Sequence, residues 1–157
     1  MQEVFRKFVE TIKAKVTQEF NQKGEHPPTW FLDTGDDRVL ELITAFQSDQ
    51  EKEIYDMVMR RAIKAYKVQR YVYVSEVWYA TARTKEECKG PRPSDRSDRK
   101  EALMLSGEDI SGEQIYGMSD IHRRPDTNLA MIGEIQIEEF KSAPAAGSRF
   151  VNMFQAR

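Results

Sequence analysis

The chain has 157 residues, 39% of them hydrophobic, 10% aromatic and 32% charged, with a formal net charge of −2. That length fits one domain, able to bury roughly 68–70% of its unfolded surface without help from disulfides or metals. The composition excludes a disordered chain, and the near-neutral charge excludes a global pull toward nucleic acid or acidic membranes. A lone cysteine, Cys88 in the charged run Glu86-Glu87-Cys88-Lys89, excludes an intrachain disulfide and a cysteine-rich zinc cluster. No signal peptide opens the chain, and no apolar run nears the ~18 residues of a membrane span, so the expected compartment is the cytoplasm.

Residues 2–22 read as an amphipathic helix, with Phe5, Phe8, Val9, Ile12, Val16 and Phe20 gathered on one face by spacings of three and four. Gly24 and Pro27-Pro28 stop it. A β-hairpin follows: Thr29 to Leu32, a turn at Asp33-Thr34-Gly35-Asp36, and a return strand from Arg38 to Phe46. The second helix opens on a capping box, Ser48 with Glu51. Asp49, Glu51, Glu53 and Asp56 fill its first half and Arg60, Arg61, Lys64 and Lys67 its second, which complements the helix dipole, and Ile54, Met57, Val58, Ala62, Ala65 and Tyr66 are read as its buried face.

Residues 71–82, rich in Tyr and Val, read as a long strand. Residues 83–100 read as an exposed polar loop: 83–101 holds seven basic and five acidic side chains, with two prolines. Strands are expected at 101–106, 114–122 and 129–138, then a C-terminal tail over 141–157 in which Phe150, Val151, Met153 and Phe154 dock on the domain. The order α-β-β-α-β-β-β-β fits a single α+β domain over 1–157, with an antiparallel sheet of five or six strands and two main helices packed on it.

Several constellations carry chemistry. Asp33-Thr34-Gly35 resembles the Asp-Thr-Gly signature of aspartic proteases, although Asp36 stands where those families place a small residue; a hairpin turn is the favoured reading. Pro125-Asp126 with Glu134-Ile135-Gln136 resembles the Pro-Asp…Glu-x-Lys pattern of a large nuclease superfamily, with Gln136 in place of the lysine. Glu76 alternates with the apolar Val72, Val74 and Trp78, so burial of that face demands a partner for its carboxylate. Asp120, His122 and Arg124 share one face of a neighbouring strand and are the expected partners of Glu76, and Glu76, Asp120, His122 and Glu134 are the candidate catalytic set of a carboxylate-based, metal-dependent hydrolase or nuclease. No dedicated metal or cofactor site is expected, since the chain has only His26 and His122 and lacks a phosphate-binding loop.

Between Met57 and Ser75 there are five basic residues and no acidic one, and Arg60, Lys64, Lys67 and Arg70 are the candidates for tracking a nucleic-acid backbone. Residues 28–105 also resemble conserved hypothetical proteins of bacteria and their phages. The residues that carry this are Trp30-Phe31-Leu32, Phe46 with Glu51-Lys52, Ser75-Glu76-Val77-Trp78, and the Arg/Asp-rich stretch from Pro93 to Lys100. No activity comes with that resemblance.

The leading functional expectation is a non-enzymatic interaction protein working as a homo-oligomer, a dimer first, with no membrane partner. The strand at 71–82 motivates it. That strand is apolar on both faces, and if both helices lay on one face, a second subunit or the tail would have to cover the other.

Overall fold

The computed structural model describes residues 1–127, 129–141 and 153–154. Among these residues there are two α-helices, α1 (Glu3–Lys23) and α2 (Asp49–Ala65), and seven strands: β1 (Thr29–Asp33), β2 (Val39–Ile43), β3 (Arg70–Tyr79), β4 (Lys100–Asp109), β5 (Glu113–Arg123), β6 (Ala130–Ile132) and β7 (Gln136–Lys141). The element order and the α+β class are as expected. The region read as one strand over 129–138 is instead split at Gly133-Glu134-Ile135 into β6 and β7, which both pair with β5. All pairings are antiparallel and run in the order β2-β1-β3-β4-β5-β6. The meander β3-β4-β5 holds the centre, and β2 forms one edge.

α1 lies on one face of the sheet. All six apolar residues of its stripe, Phe5 through Phe20, are buried against Phe31, Val72, Val74, Leu103, Leu105 and the apolar side chains of β5 and β6. Gly24, at φ 77°, closes the helix in the left-handed region, where a residue without Cβ fits best.

α2 covers the opposite face, above Trp30, Leu32, Tyr71 and Tyr73. It starts where the capping box places it: Ser48 accepts the N–H of Glu51 at 3.1 Å, and Glu51 accepts the N–H of Gln47 at 2.6 Å. Its inward side, however, differs from the expectation. Asp56, Met59 and Ile63 are buried, whereas Ile54, Met57, Val58 and Tyr66 are each half or more exposed. Both ends of the helix decide this rotation. Phe46 meets Tyr55 edge-on at 5.2 Å. At the other end the N–H of Val68 returns to the carbonyl of Ile63 and that of Lys67 to Lys64, a Schellman closure that buries Ile63 and Val68 together. The closure puts Lys67 at φ 53°.

With a helix on each face, the two apolar sides of β3 are covered within one chain. Val72 and Val74 meet α1, and Tyr71 and Tyr73 meet the α2 side. The apolar character of β3 therefore needs no second subunit. Residues 83–99 are largely exposed and hold two short 3₁₀ turns, and Arg99 places its guanidinium 4.3 Å from the ring centre of Trp78. Of the expected docking residues in the tail, Met153 is buried and Phe154 packs on Tyr71, while Phe150 and Val151 lie outside the described residues.

Candidate functional site

Glu76 is partly buried and paired, but its partners differ from those expected. On the α1 face its Oε1 accepts the N–H of His26 at 2.8 Å, and Arg123 lies 3.5 Å from its Oε2. Arg123 also binds Glu101 and reaches the carbonyl of Gly24. The segment after α1 is thereby tied to the sheet. His26 is itself buried, with its Nδ1 2.8 Å from the Pro27 carbonyl oxygen and its Nε2 3.6 Å from Glu19. Burial lowers its pKa, against the opposing pull of the Pro27 carbonyl and Glu19. Every partner has an anchoring role, so this seam reads as a structural joint.

The other three candidates do not join Glu76. Register sets Glu76 opposite Leu103 and Asp120 opposite Ala102, so the alternation of the strands sends Asp120 and His122 to the α2 face. There the Tyr79 hydroxyl donates to Asp120 at 2.5 Å, and that hydrogen bond pushes the phenol up to about 12. His122 and Glu134 are exposed, Glu134 in the break between β6 and β7. Among the described residues no group of three His, Cys, Asp or Glu side chains is arranged to hold a metal ion. One-residue register arithmetic separates the set, and no strand-by-strand reading could see it before the pairing of β4 with β5 was known.

The two motif resemblances resolve into turns. Asp33 ends β1, pairs with Arg70 at 3.1 Å and accepts the N–H of Gly35 at 2.7 Å, while Gly35 and Asp37 take positive φ. Asp126 lies in an exposed turn.

The basic stretch is also divided. Arg60 is turned to Asp56, with contacts of 3.0 and 3.2 Å, and Arg70 is held by Asp33. Lys64 and Lys67 are exposed. Arg123 and Arg124 do not extend a stripe from them, because Arg123 is on the α1 face, engaged with Glu76 and Glu101.

Two features escaped sequence reasoning. One is Glu108, buried at the α2 face directly across from Tyr71. Its Oε2 accepts the Tyr71 hydroxyl at 3.1 Å and the N–H of Met153 at 2.9 Å. Burial raises its pKa, while those donors oppose the rise; burial and the Glu108 carboxylate together push the Tyr71 phenol well above its ordinary value. The second is the outer edge of β2, unpaired among the described residues, where Val39, Leu42 and Ile43 are exposed.

No helix among the described residues is long and apolar enough to cross a membrane. Comparison of the chain with protein-family models, curated proteins and solved structures finds no match.

Proposed function

We propose that this is a non-enzymatic cytoplasmic interaction protein that acts as a homodimer, joined edge to edge through β2. The observation that carries the reading is the chemistry of that edge. Thr44 donates its N–H to Pro28 and Thr34 donates to Arg38, so even-numbered residues of β2 exchange hydrogen bonds with β1. The N–H and C=O groups of Val39, Glu41 and Ile43 therefore point outward. Protein edges are ordinarily blunted by lysine, proline or a bulge. β2 has none of these within Val39–Ile43. Its one charge, Glu41, is held by Lys15 at 2.9 Å, and Ile43 is 67% exposed.

A two-fold axis at Glu41 sets Val39 of one copy opposite Ile43 of the other and bonds the outward groups of all three residues. The two Glu41 carboxylates meet at the axis, each accompanied by its own Lys15. The separation of Glu76 from Asp120 and His122 supports the non-enzymatic part of the reading. Sedimentation equilibrium tests the dimer: the native chain is expected at twice its 18.3 kDa mass and the Ile43→Lys variant at the single-chain mass. A native chain that sediments as a monomer at micromolar concentration overturns it.

A further inference from the structure

Beside α2, toward the β4–β5 turn, lies an open groove of about 1060 Å³. That is the size of a ligand site, and it is independent of the β2 edge. Among the described residues its floor is apolar: Ile63, Val68, Met153 and Phe154. Two large apolar side chains flank it, Met57 at 56% and Ile110 at 63% exposure. The rim carries Arg61, Lys64 and Lys67, all exposed and none held in an ion pair among the described residues. Among the described residues the one carboxylate in the lining, Asp56, is buried and already paired with Arg60.

We propose that this groove binds an acidic peptide, with its apolar side chains on the floor between Met57 and Ile110 and its carboxylates against Arg61, Lys64 and Lys67. Three arguments select that occupant. The cations are spaced by three residues along α2 and its cap, so they form a row that suits successive carboxylates better than one compact phosphate. An apolar floor under a cationic rim matches a ligand with both kinds of group, whereas a nucleic-acid backbone would leave Met57 and Ile110 uncovered. The floor is itself built in part from a segment of the chain's own tail seated on the sheet, so peptide packs well here: Met153 gives its N–H to the buried Glu108, and Phe154 lies 5.9 Å from the Tyr71 ring centre.

The test uses the full chain and fluorescence anisotropy of a labelled decapeptide that alternates glutamate with leucine and phenylalanine. Three further arms are run: the same peptide with glutamine for glutamate, a single-stranded DNA oligomer of matched charge, and the Ile43→Lys chain. Saturable binding of the acidic peptide is expected to weaken about tenfold in Lys64→Glu/Lys67→Glu, in Ile110→Ser and with the glutamine peptide, each about tenfold separately. It is expected to be unchanged in Ile43→Lys, which separates this site from the β2 edge. The substituted residues are exposed, so the variants are expected to stay folded, with a slightly lower unfolding midpoint only for the charge reversal at the C-terminal end of α2, and the glutamine-peptide arm needs no variant at all. The proposal is overturned by absent saturable binding, by binding indifferent to Ile110→Ser, by equal binding of the glutamine peptide, or by preference for the DNA oligomer.

Discussion

The two helices of this protein carry similar sequence signals and meet opposite outcomes. In α1 every apolar residue of the stripe from Phe5 to Phe20 is buried. In α2 the same three-and-four spacing picks out Ile54, Met57 and Val58, and these face outward, while Asp56, Met59 and Ile63 face the sheet. The difference lies in how many stripes each helix offers. Apart from Val4 and Ala14, α1 is polar outside its stripe, so only one rotation buries the whole stripe. α2 has apolar residues on two sides, and periodicity cannot choose between them. The choice falls to contacts outside the helix: Phe46 on Tyr55 at its start, and Val68 beside Ile63 at its end. A helix left with a surplus apolar side also supplies one wall of the groove, through Met57.

The sharpest way to break the comparison is to truncate one side chain from each stripe. Phe20→Ala in α1 is expected to cost about 3–5 kcal/mol, because it empties a fully buried site. Met57→Ala in α2 is expected to stay within about 0.5 kcal/mol of the native chain, as an exposed substitution. Chemical denaturation of both variants measures the gap, and equal losses would restore the rotation of α2 that periodicity suggested.

The two N-termini differ as well. Ser48→Ala is expected to cost about 0.5–2 kcal/mol, since its oxygen satisfies the Glu51 N–H. Gln2, which makes no such side-chain bond, is the matched control, and Gln2→Ala should leave the denaturation midpoint where it is.

At the C-termini the contrast runs through the left-handed residue. α1 ends on Gly24, and Gly24→Ala is expected to destabilise the fold by about 1 kcal/mol. α2 ends with Lys67 at φ 53°, so Lys67→Gly should stabilise by about 1 kcal/mol, less whatever the lost side chain contributes. A thermal melt of the two variants should show shifts of opposite sign.

The smallest expected effects are pH-dependent, and they too separate the two faces. Burial raises the pKa of Glu108. Its folded state therefore holds a proton that the unfolded state releases, and the stability linked to Glu108 falls as pH rises from about 4.5 through the raised value. His26, lowered by burial, behaves in the opposite sense: its contribution is present above about pH 6.5 and is lost as pH falls through the lowered folded value. Denaturation across that range should show the native chain losing ground to Glu108→Gln on going up in pH and to His26→Gln on going down. Parallel curves for native and variant chains would mean that neither group is as enclosed as its surroundings indicate.

Much of the architecture was legible from the chain alone because local chemistry specifies it. Spacing marked α1, a serine with a glutamate three residues on marked the start of α2, and Asp-Thr-Gly marked the hairpin turn. The candidate site was less legible. Glu76 was expected to need a partner and has one, but Arg123 is the neighbour that β5 delivers and Arg124 is not. A shift of one residue along a strand exchanges the faces of the sheet.

What the sequence by itself determined, then, are the elements, their order and the need of certain residues for burial or a partner, since these follow from periodicity, capping and the cost of burying charge. Only the tertiary structure decided which of the two stripes of α2 faces inward, because that depends on contacts made after the helix exists. It alone separated Glu76 from Asp120 and His122, because strand register is a property of the pair of strands. It alone enclosed Glu108, whose burial comes from Tyr71 across the strand and from Met153 far along the chain. And it alone left β2 at an edge, because a strand's edge position depends on where all the other strands go.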